Sequence, residues 1–256
     1  YSNVVDSDDW LDAAALSTML SLLRGFEDRD MRVDLFISNY VYEKVYEGKH
    51  VTISYHGALP RKKVFTWDKI GYFRPDQNLL MHSLCYRVDV LREANLPLPA
   101  HTFYVDNIYA YVPLPHCKTM YYADIDLYRY FIGREGQSVN EATMIRRLDQ
   151  QFRITRIMMN AYHLYTDVKE PRLASYMMGY FTMMMSVCSI FSKLSEEDRW
   201  KEESKRLWAE LKEYDERMYR HARCGILGIG TNLPTKAGEK ASIGLYRAAS
   251  KIFKFN

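Results

Sequence analysis

The sequence predicts an α/β region followed by an all-helical C-terminal region, and the change in periodicity along the chain is the main reason. Residues 1–139 alternate helix-period stretches with runs rich in β-branched and aromatic residues. Residues 140–256 carry apolar side chains at helical spacing almost throughout. With 256 residues, of which 48% are hydrophobic and 26% charged, the chain can bury a substantial core. We therefore expect two regions, 1–139 and 140–256, within a globular protein.

The first region begins with a predicted strand, loop and helix. Val4 and Val5 form a strand-like run that ends in acids, and apolar residues at helical spacing predict a helix from Trp10 to Leu23, closed by Gly25. The later elements of this region are predicted strands at 33–40, 50–55 and 118–122 and short helices at 87–94 and 105–111.

Three long helices are predicted in the second region, at 140–165, 171–194 and 196–223. Ser195 with Asp198 forms a capping-box-like start for the third helix. Residues 173–192 carry no charge over a length that would span a bilayer. Because this segment contains Ser, Thr, Tyr and Gly and charged amphipathic helices flank it, we interpret it as a buried core helix rather than a transmembrane helix.

Charge and cysteine content narrow the class of protein. With 35 basic and 32 acidic residues the net charge is +3, which is too small for the footprint of a nucleic-acid-binding protein. The four cysteines are far apart and form no Cys-x-x-Cys pair, so we expect reduced thiols and a cytoplasmic location. The chain opens in a strand-like run with neither a signal peptide nor an initiator Met, and we expect further strands upstream.

An acidic cluster made of Asp6, Asp8 and Asp9 follows the first predicted strand. Carboxylates at alternate positions of an extended chain point the same way, so Asp6 and Asp8 can share one divalent cation. Oxygen ligands suit Mg²⁺ or Mn²⁺, and such ions keep coordination positions for water and for the phosphate oxygens of a nucleoside diphosphate. The alternative is that these acids only stabilise the positive end of the helix that follows.

Two later segments carry further polar candidates. A proline-bearing approach at residues 96–99 leads to Asp106 among aromatic residues, where partial desolvation would make this carboxylate a better general base. Alternatively, Asp106 only caps the next helix. Arg134 lies between two glycines in residues 128–139, and its guanidinium group can hold a phosphate through two hydrogen bonds. Alternatively, Arg134 is an ordinary solvent-exposed arginine that binds no ligand.

The order of these segments resembles that of family 2 glycosyltransferases with the GT-A fold. An Asp-x-Asp element at Asp6 and Asp8 comes first, a lone Asp106 follows its Pro-rich approach, and Tyr128-x-Tyr130 then leads to a loop with Arg, Gln and Ser. The resemblance covers about residues 1–139 and implies a partial GT-A-like mixed sheet with flanking helices. Three features depart from the family pattern. Val105 replaces the Glu of the family's Glu-Asp pair, the N-terminal nucleotide-binding strands are missing, and the Gln-x-x-Arg-Trp signature of processive members is absent.

The resemblance implies a metal-dependent, inverting and non-processive enzyme. It would move a sugar from a nucleoside diphosphate donor, such as a UDP-sugar, to a hydroxyl of a glycan or lipid-linked acceptor, as in cell-envelope polysaccharide synthesis. Asp6 and Asp8 would hold Mg²⁺ or Mn²⁺, and Asp106 would be the catalytic base. The residues expected to contact substrate are Asp9, His82, His101, Tyr104, Arg134, Gln137 and Ser138. A structural or surface role is the alternative for both histidines.

Two other classes of protein are compatible with the same sequence. One is a non-catalytic scaffolding or interaction fragment of such an enzyme, built on the helical region. The other is a metal-dependent nucleotidyltransferase or phosphatase, which would need a second carboxylate cluster for a two-metal site. No second cluster is evident in the sequence.

The tail at residues 236–256 interleaves basic and apolar side chains. Such a stretch can lie on an anionic bilayer, with its cations near the headgroups and its aromatic rings below them, which would place the protein peripherally on the inner face of a membrane. Alternatively, the tail packs back on the helices with its lysines in water.

Overall fold

The computed structural model describes residues 1–74, 77–133 and 140–253, with side chains up to residue 250. The chain divides into two compact units. The first comprises residues 1–98 and 109–135, and the second comprises residues 99–108 and 136–256. The second unit thus includes a short segment, residues 99–108, that lies well before the change in periodicity near residue 140.

The first unit is built on a mixed sheet, and the prediction of an α/β region followed by helices is confirmed. Strands β2 (Leu35–Lys44) and β6 (Met120–Phe131) pair in parallel at its centre. The strands that pair antiparallel to these two in the described chain are β1 (Trp10–Leu11), β3 (Lys49–Ile53), β4 (Val64–Phe65) and β5 (Leu84–Tyr86). The first unit also contains helices α1 (Ala13–Glu27) and α2 (Val88–Ala94), and α3 (Asp106–Tyr111) crosses the boundary between the units.

The beginning of the chain differs from its prediction. Val4 and Val5 are exposed and form no strand, whereas β1 lies at Trp10 and Leu11 and pairs with β6. The helix begins later than predicted because the Asp12 side chain accepts a hydrogen bond from the Ala15 amide at 2.9 Å, which caps its first turn. The acidic cluster is therefore a loop before a strand instead of the end of one.

Helix α1 packs against the central strands through aliphatic and aromatic side chains. Met19, Leu23 and Phe26 of α1 are buried in one cluster with Phe36 of β2 and Tyr121 of β6. The Phe26 and Tyr121 rings meet edge to face, with their centroids 4.9 Å apart. Residues 35–41 of β2 are buried without alternation, as expected for a central strand covered on both faces.

A buried carboxylate holds the start of β2 to the segment before β6. Asp34 has no solvent exposure, and its Oδ2 atom accepts hydrogen bonds from the amides of Lys118 at 2.7 Å and Thr119 at 3.1 Å. The Arg32 guanidinium group, which is half-exposed, donates to Oδ1 at 2.6 Å. Asp34 therefore provides the acceptor for two backbone donors of the segment before β6.

Replacing Asp34 by Ala is expected to lower the free energy of unfolding by about 3 kcal/mol, because a fully buried carboxylate is lost together with its hydrogen bonds to two backbone amides. Urea denaturation followed by tryptophan fluorescence measures the change. Arg32→Ala is the control and should cost less than about 1 kcal/mol, because its ion pair is largely solvated. Equal losses in the two variants would contradict this account of Asp34.

The second unit is helical, as the sequence predicted for residues 140–256. Its helices in the described chain are α4 (Glu141–Arg146), α5 (Leu148–Ala161), α6 (Pro171–Leu194), α7 (Asp198–Tyr214), α8 (Glu216–Cys224), α9 (Ile226–Thr231) and α10 (Thr235–Phe253). The predicted limits of α6 are confirmed. The predicted helix at 140–165 is divided at Arg147, and the one at 196–223 is divided at Asp215. The capping box proposed at Ser195 does not form, since Ser195 ends α6 and Glu197 precedes α7.

Helix α6 is the central helix of the second unit. Among the described helices it alone is long and apolar enough to span a membrane, by length and composition, and 78% of its apolar window is buried within the protein. Several of its hydroxyl groups form hydrogen bonds inside the unit. Thr182 and Ser192 donate to carbonyl oxygens one turn earlier, and Ser189 accepts from the Trp208 indole at 2.8 Å. This burial agrees with the interpretation of α6 as a core helix.

All four cysteines lie in the described chain and are free thiols. Cys85, Cys117 and Cys188 are buried. Burial raises the pKa of Cys85 to about 11 and that of Cys188 to about 12, and the pKa of Cys117 is raised as well. Because the thiolate is the reactive form, these three residues are unsuited to nucleophilic catalysis.

Candidate metal centre

Three potential ligands meet in the first unit. The backbone amide of Asp9 donates to the Asp6 carbonyl oxygen at 3.1 Å, so residues 6–9 form a turn that brings its first and last side chains together. His82 comes from a short 3-10 helix just before β5. One ligand atom from each of Asp6, Asp9 and His82 lies within 4.8 Å of the other two. In the described chain, this is the one such group of three acidic, histidine or cysteine side chains.

Strand β6 fixes the position of Asp9. The Phe131 amide donates to Asp9 Oδ1 at 2.9 Å, and the Tyr128 hydroxyl group donates to Asp9 Oδ2 at 2.8 Å. The same hydroxyl oxygen accepts a hydrogen bond from the Asp6 amide at 3.1 Å. A carboxylate offers about four lone-pair sites, so each Asp9 oxygen keeps capacity for a cation. Tyr128 and Phe131 therefore orient the carboxylate without using up its acceptor capacity.

Aromatic rings surround His82. Its ring stacks on Tyr130 with centroids 4.6 Å apart, and Tyr128 meets it edge-on at the same distance. Burial lowers the pKa of His82 to about 4, so the imidazole is neutral at pH 7. Its Nδ1 atom is buried and has no hydrogen-bond partner among the described residues. A buried neutral imidazole with an unpartnered nitrogen suits a metal ligand, because metals bind the neutral form.

Among the described residues, no basic side chain balances the charge of the two carboxylates. Desolvation raises the pKa values of Asp6 and Asp9, and the negative charge of Asp6 contributes to the rise at Asp9. The hydrogen bonds from Phe131 and Tyr128 oppose that rise. Neither carboxylate forms an ion pair with a basic side chain in the part of the chain that the structure describes. A divalent cation would supply the missing positive charge, so these residues fit a metal site.

The structure places Asp9, and not Asp8, close to Asp6. Asp6 and Asp8 were expected to share the cation because alternate residues of a strand point the same way. The chain forms a turn at this point, so Asp6 approaches Asp9, and Asp8 is not in the group. Asp9 and His82, which the sequence indicated as substrate contacts, join Asp6 instead. Asp9 lies three positions after Asp6, the separation of the two ends of a four-residue turn, and this was a sequence signal that the two could meet. No local signal identified His82 as a potential ligand.

Asp106 begins α3 and belongs to the second unit. Just before it, the Asn107 amide and side chain both donate to the Tyr104 carbonyl oxygen, each at 3.1 Å, which closes a turn at the helix start. Asp106 is half-buried, and its Oδ1 atom accepts a hydrogen bond from the Asn107 side chain at 3.3 Å. The Asn107 Oδ1 atom in turn accepts from the Tyr180 hydroxyl group on α6 at 2.9 Å. The segment carrying Asp106 is thus anchored to the core of its unit.

The remaining candidate residues are distributed as follows. His101 is exposed and Tyr104 is half-buried, and both belong to the second unit with Asp106. Burial raises the pKa of Tyr104 to about 12. The structure therefore brings Asp6, Asp9 and His82 together in the first unit and places His101, Tyr104 and Asp106 in the second. The candidates outside the described residues are Arg134, Gln137 and Ser138.

Comparison with known proteins adds no family assignment. No protein-family model matches the chain, and no curated protein matches it significantly. The observations that bear on function are therefore the candidate metal centre and the order of the motifs along the chain.

Proposed function

We propose that this chain is the catalytic part of a metal-dependent, inverting glycosyltransferase with a GT-A-like sheet. It transfers one sugar from a nucleoside diphosphate donor, most simply a UDP-sugar, to a hydroxyl of a glycan or lipid-linked acceptor. The observation that carries this proposal is the approach of Asp6, Asp9 and His82 to within 4.8 Å beside a mixed sheet. The order of the Asp-rich turn, Asp106 and the Tyr-x-Tyr strand supports it.

The proposed metal-binding residues are Asp6, Asp9 and His82. An imidazole nitrogen is a better ligand for Mn²⁺ than for Mg²⁺, which prefers oxygen ligands, so we propose Mn²⁺. When bound, the cation supplies positive charge to the diphosphate that leaves during transfer. Tyr128 and the Phe131 amide hold the Asp9 carboxylate in place, and the rings of Tyr128 and Tyr130 hold His82.

Asp106 is the proposed catalytic base. Its carboxylate removes the proton from the acceptor hydroxyl group, and the hydroxyl oxygen then bonds to the anomeric carbon as the bond from that carbon to the diphosphate breaks. Attack from the face opposite the leaving group inverts the anomeric configuration. Asp106 lies in the first turn of α3. Because Val105 precedes it, the base function depends on this single carboxylate.

A one-metal mechanism agrees better with the described residues than a two-metal mechanism. Nucleotidyltransferases and phosphatases that use two ions need a second set of ligands close to the first. The described chain contains one group of three clustered ligands, at Asp6, Asp9 and His82. The proposed transfer reaction needs no second ion.

Binding measurements on the full-length protein test this proposal. We expect one Mn²⁺ to bind per chain, detected by electron paramagnetic resonance, and UDP to bind by calorimetry only when Mn²⁺ is present. Release of UDP from a panel of UDP-sugars, with glycan acceptors added, then identifies the donor. A protein that binds neither Mn²⁺ nor UDP would be a scaffold, and UDP affinity that does not depend on Mn²⁺ would also contradict the proposal.

A further inference from the structure

Helix α9 exposes large aliphatic side chains. Ile226 is 92% exposed, and Leu227 and Ile229 are each 50% exposed. The side of α9 that packs inward carries Gly228, and a Cβ atom added there would overlap the Ala222 carbonyl oxygen of α8. The backbone of α9 therefore lies directly against α8, and its large apolar side chains are left in water. Burial of these side chains elsewhere would be favourable.

Helix α10 uses one side to pack on the second unit. The Tyr246 ring meets Phe191 of α6 with centroids 5.6 Å apart, and Ser242 is buried and accepts from the Lys193 ammonium group at 3.3 Å. Glu239 forms an ion pair of 2.8 Å with Lys201 of α7. One side of the described part of the tail therefore packs against the helices of the second unit.

The opposite side of α10 is exposed and basic. Lys236, Lys240 and Arg247 are exposed and fall on one strip of the helix, at 3.6 residues per turn. A second exposed strip beside it carries small and apolar residues, namely Ala237, Ala241, Gly244, Leu245 and Ala248. The single acid of α10, Glu239, lies on the inner side in its ion pair with Lys201. The exposed side of α10, as far as the structure describes it, therefore carries cations without acids.

We propose that α9 and the exposed side of α10 form a surface that binds an anionic lipid bilayer. The cations match the negative headgroups, and the aliphatic side chains of α9 and Leu245, which is 58% exposed, enter the region below them. A second copy of the chain fits less well, because a symmetric interface would place the same cations face to face. Nucleic acid fits less well too, since aliphatic side chains provide no stacking surface for bases.

Vesicle flotation with the full chain tests the proposal. The vesicles contain phosphatidylcholine alone or phosphatidylcholine mixed with phosphatidylglycerol, each at low and high salt. One variant replaces the aliphatic residues (Ile226→Gln, Leu227→Gln, Ile229→Gln), and another reverses the charges on α10 (Lys236→Glu, Lys240→Glu, Arg247→Glu). The matched control reverses two lysines and an arginine that are exposed on α7 (Lys205→Glu, Arg206→Glu, Lys212→Glu). The control changes the net charge by the same amount, because it also replaces three basic residues by Glu. Lys205 and Arg206 form ion pairs with glutamates on α7.

We expect the wild-type chain to bind the anionic vesicles, with part of the binding resistant to salt, and not to bind phosphatidylcholine alone. The α10 variant should lose affinity by about tenfold or more, and the control should lose less than about threefold. Binding by the α9 variant should become fully sensitive to salt. No wild-type binding at low salt would overturn the proposal, as would equal losses in the α10 variant and the control. Light scattering that shows a dimer dissociated by the α9 variant would assign the surface to a second copy instead.

Discussion

Replacing Asp9 by Asn is expected to lower the Mn²⁺ affinity of the protein by about a hundredfold or more, and sugar transfer should be lost with it. The free energy of unfolding should change little. Asn is isosteric with Asp, so its oxygen can still accept from the Phe131 amide and its amino group can face the Tyr128 hydroxyl oxygen. The substitution also removes repulsion from Asp6, which raises the pKa of Asp9. Titration with Mn²⁺ and thermal melting measure the two quantities separately.

Three further variants make this test specific. Asp6→Asn should weaken Mn²⁺ binding as strongly as Asp9→Asn, because both side chains belong to the group that includes His82. Asp8→Asn is the matched control, one position away, and should retain most of the affinity. Tyr128→Phe removes the hydroxyl group that orients Asp9 and should lower the Mn²⁺ affinity about tenfold. Loss of Mn²⁺ binding in Asp8→Asn, with normal binding in Asp9→Asn, would instead support the pair expected from strand geometry.

The sequence predicted best the elements that are marked by a long, continuous pattern of neighbouring residues. Helix α6 was located to the residue because its apolar stretch begins at a proline and ends before polar residues. The division between α7 and α8 was missed, because the polar surfaces of both helices continue one amphipathic pattern. Asp215 separates them by accepting a hydrogen bond from the Met218 amide, which starts α8. A single capping bond of this kind leaves only a weak signal in the periodicity.

The candidate metal centre was only partly predictable for a different reason. The acids at Asp6 and Asp9 are visible in the sequence, but their approach requires a turn that the local pattern did not distinguish from a strand. That turn is held by Tyr128 of β6, which is distant in sequence. His82 reaches the same point because β5 pairs with β2 and because the Tyr130 ring packs on the imidazole. These are long-range contacts, and they follow from the sheet topology.

Replacing Asp106 by Asn is expected to reduce kcat by about two to four orders of magnitude, the usual consequence of losing a general base. Asn cannot accept the proton of the acceptor hydroxyl group, yet it keeps the size and the hydrogen-bonding oxygen of the original side chain. The start of α3 should therefore persist, since the Tyr104 carbonyl oxygen closes its turn. Affinities for Mn²⁺ and for UDP should not change, because the proposed metal-binding residues are elsewhere in the chain. The substitution should thus lower kcat without changing the affinity for Mn²⁺ or UDP.

Asp198→Asn is the matched control for this variant. Asp198 is the first residue of α7, as Asp106 is of α3, and it belongs to the same unit. Both substitutions remove one negative charge from a helix N-terminus, so a loss of turnover caused by the helix alone would appear in both. We expect the control to keep normal turnover and the acid limb of the pH–rate profile to disappear only in Asp106→Asn. A parallel loss of UDP affinity in Asp106→Asn would make Asp106 a binding residue, and an unchanged kcat would remove it from the mechanism.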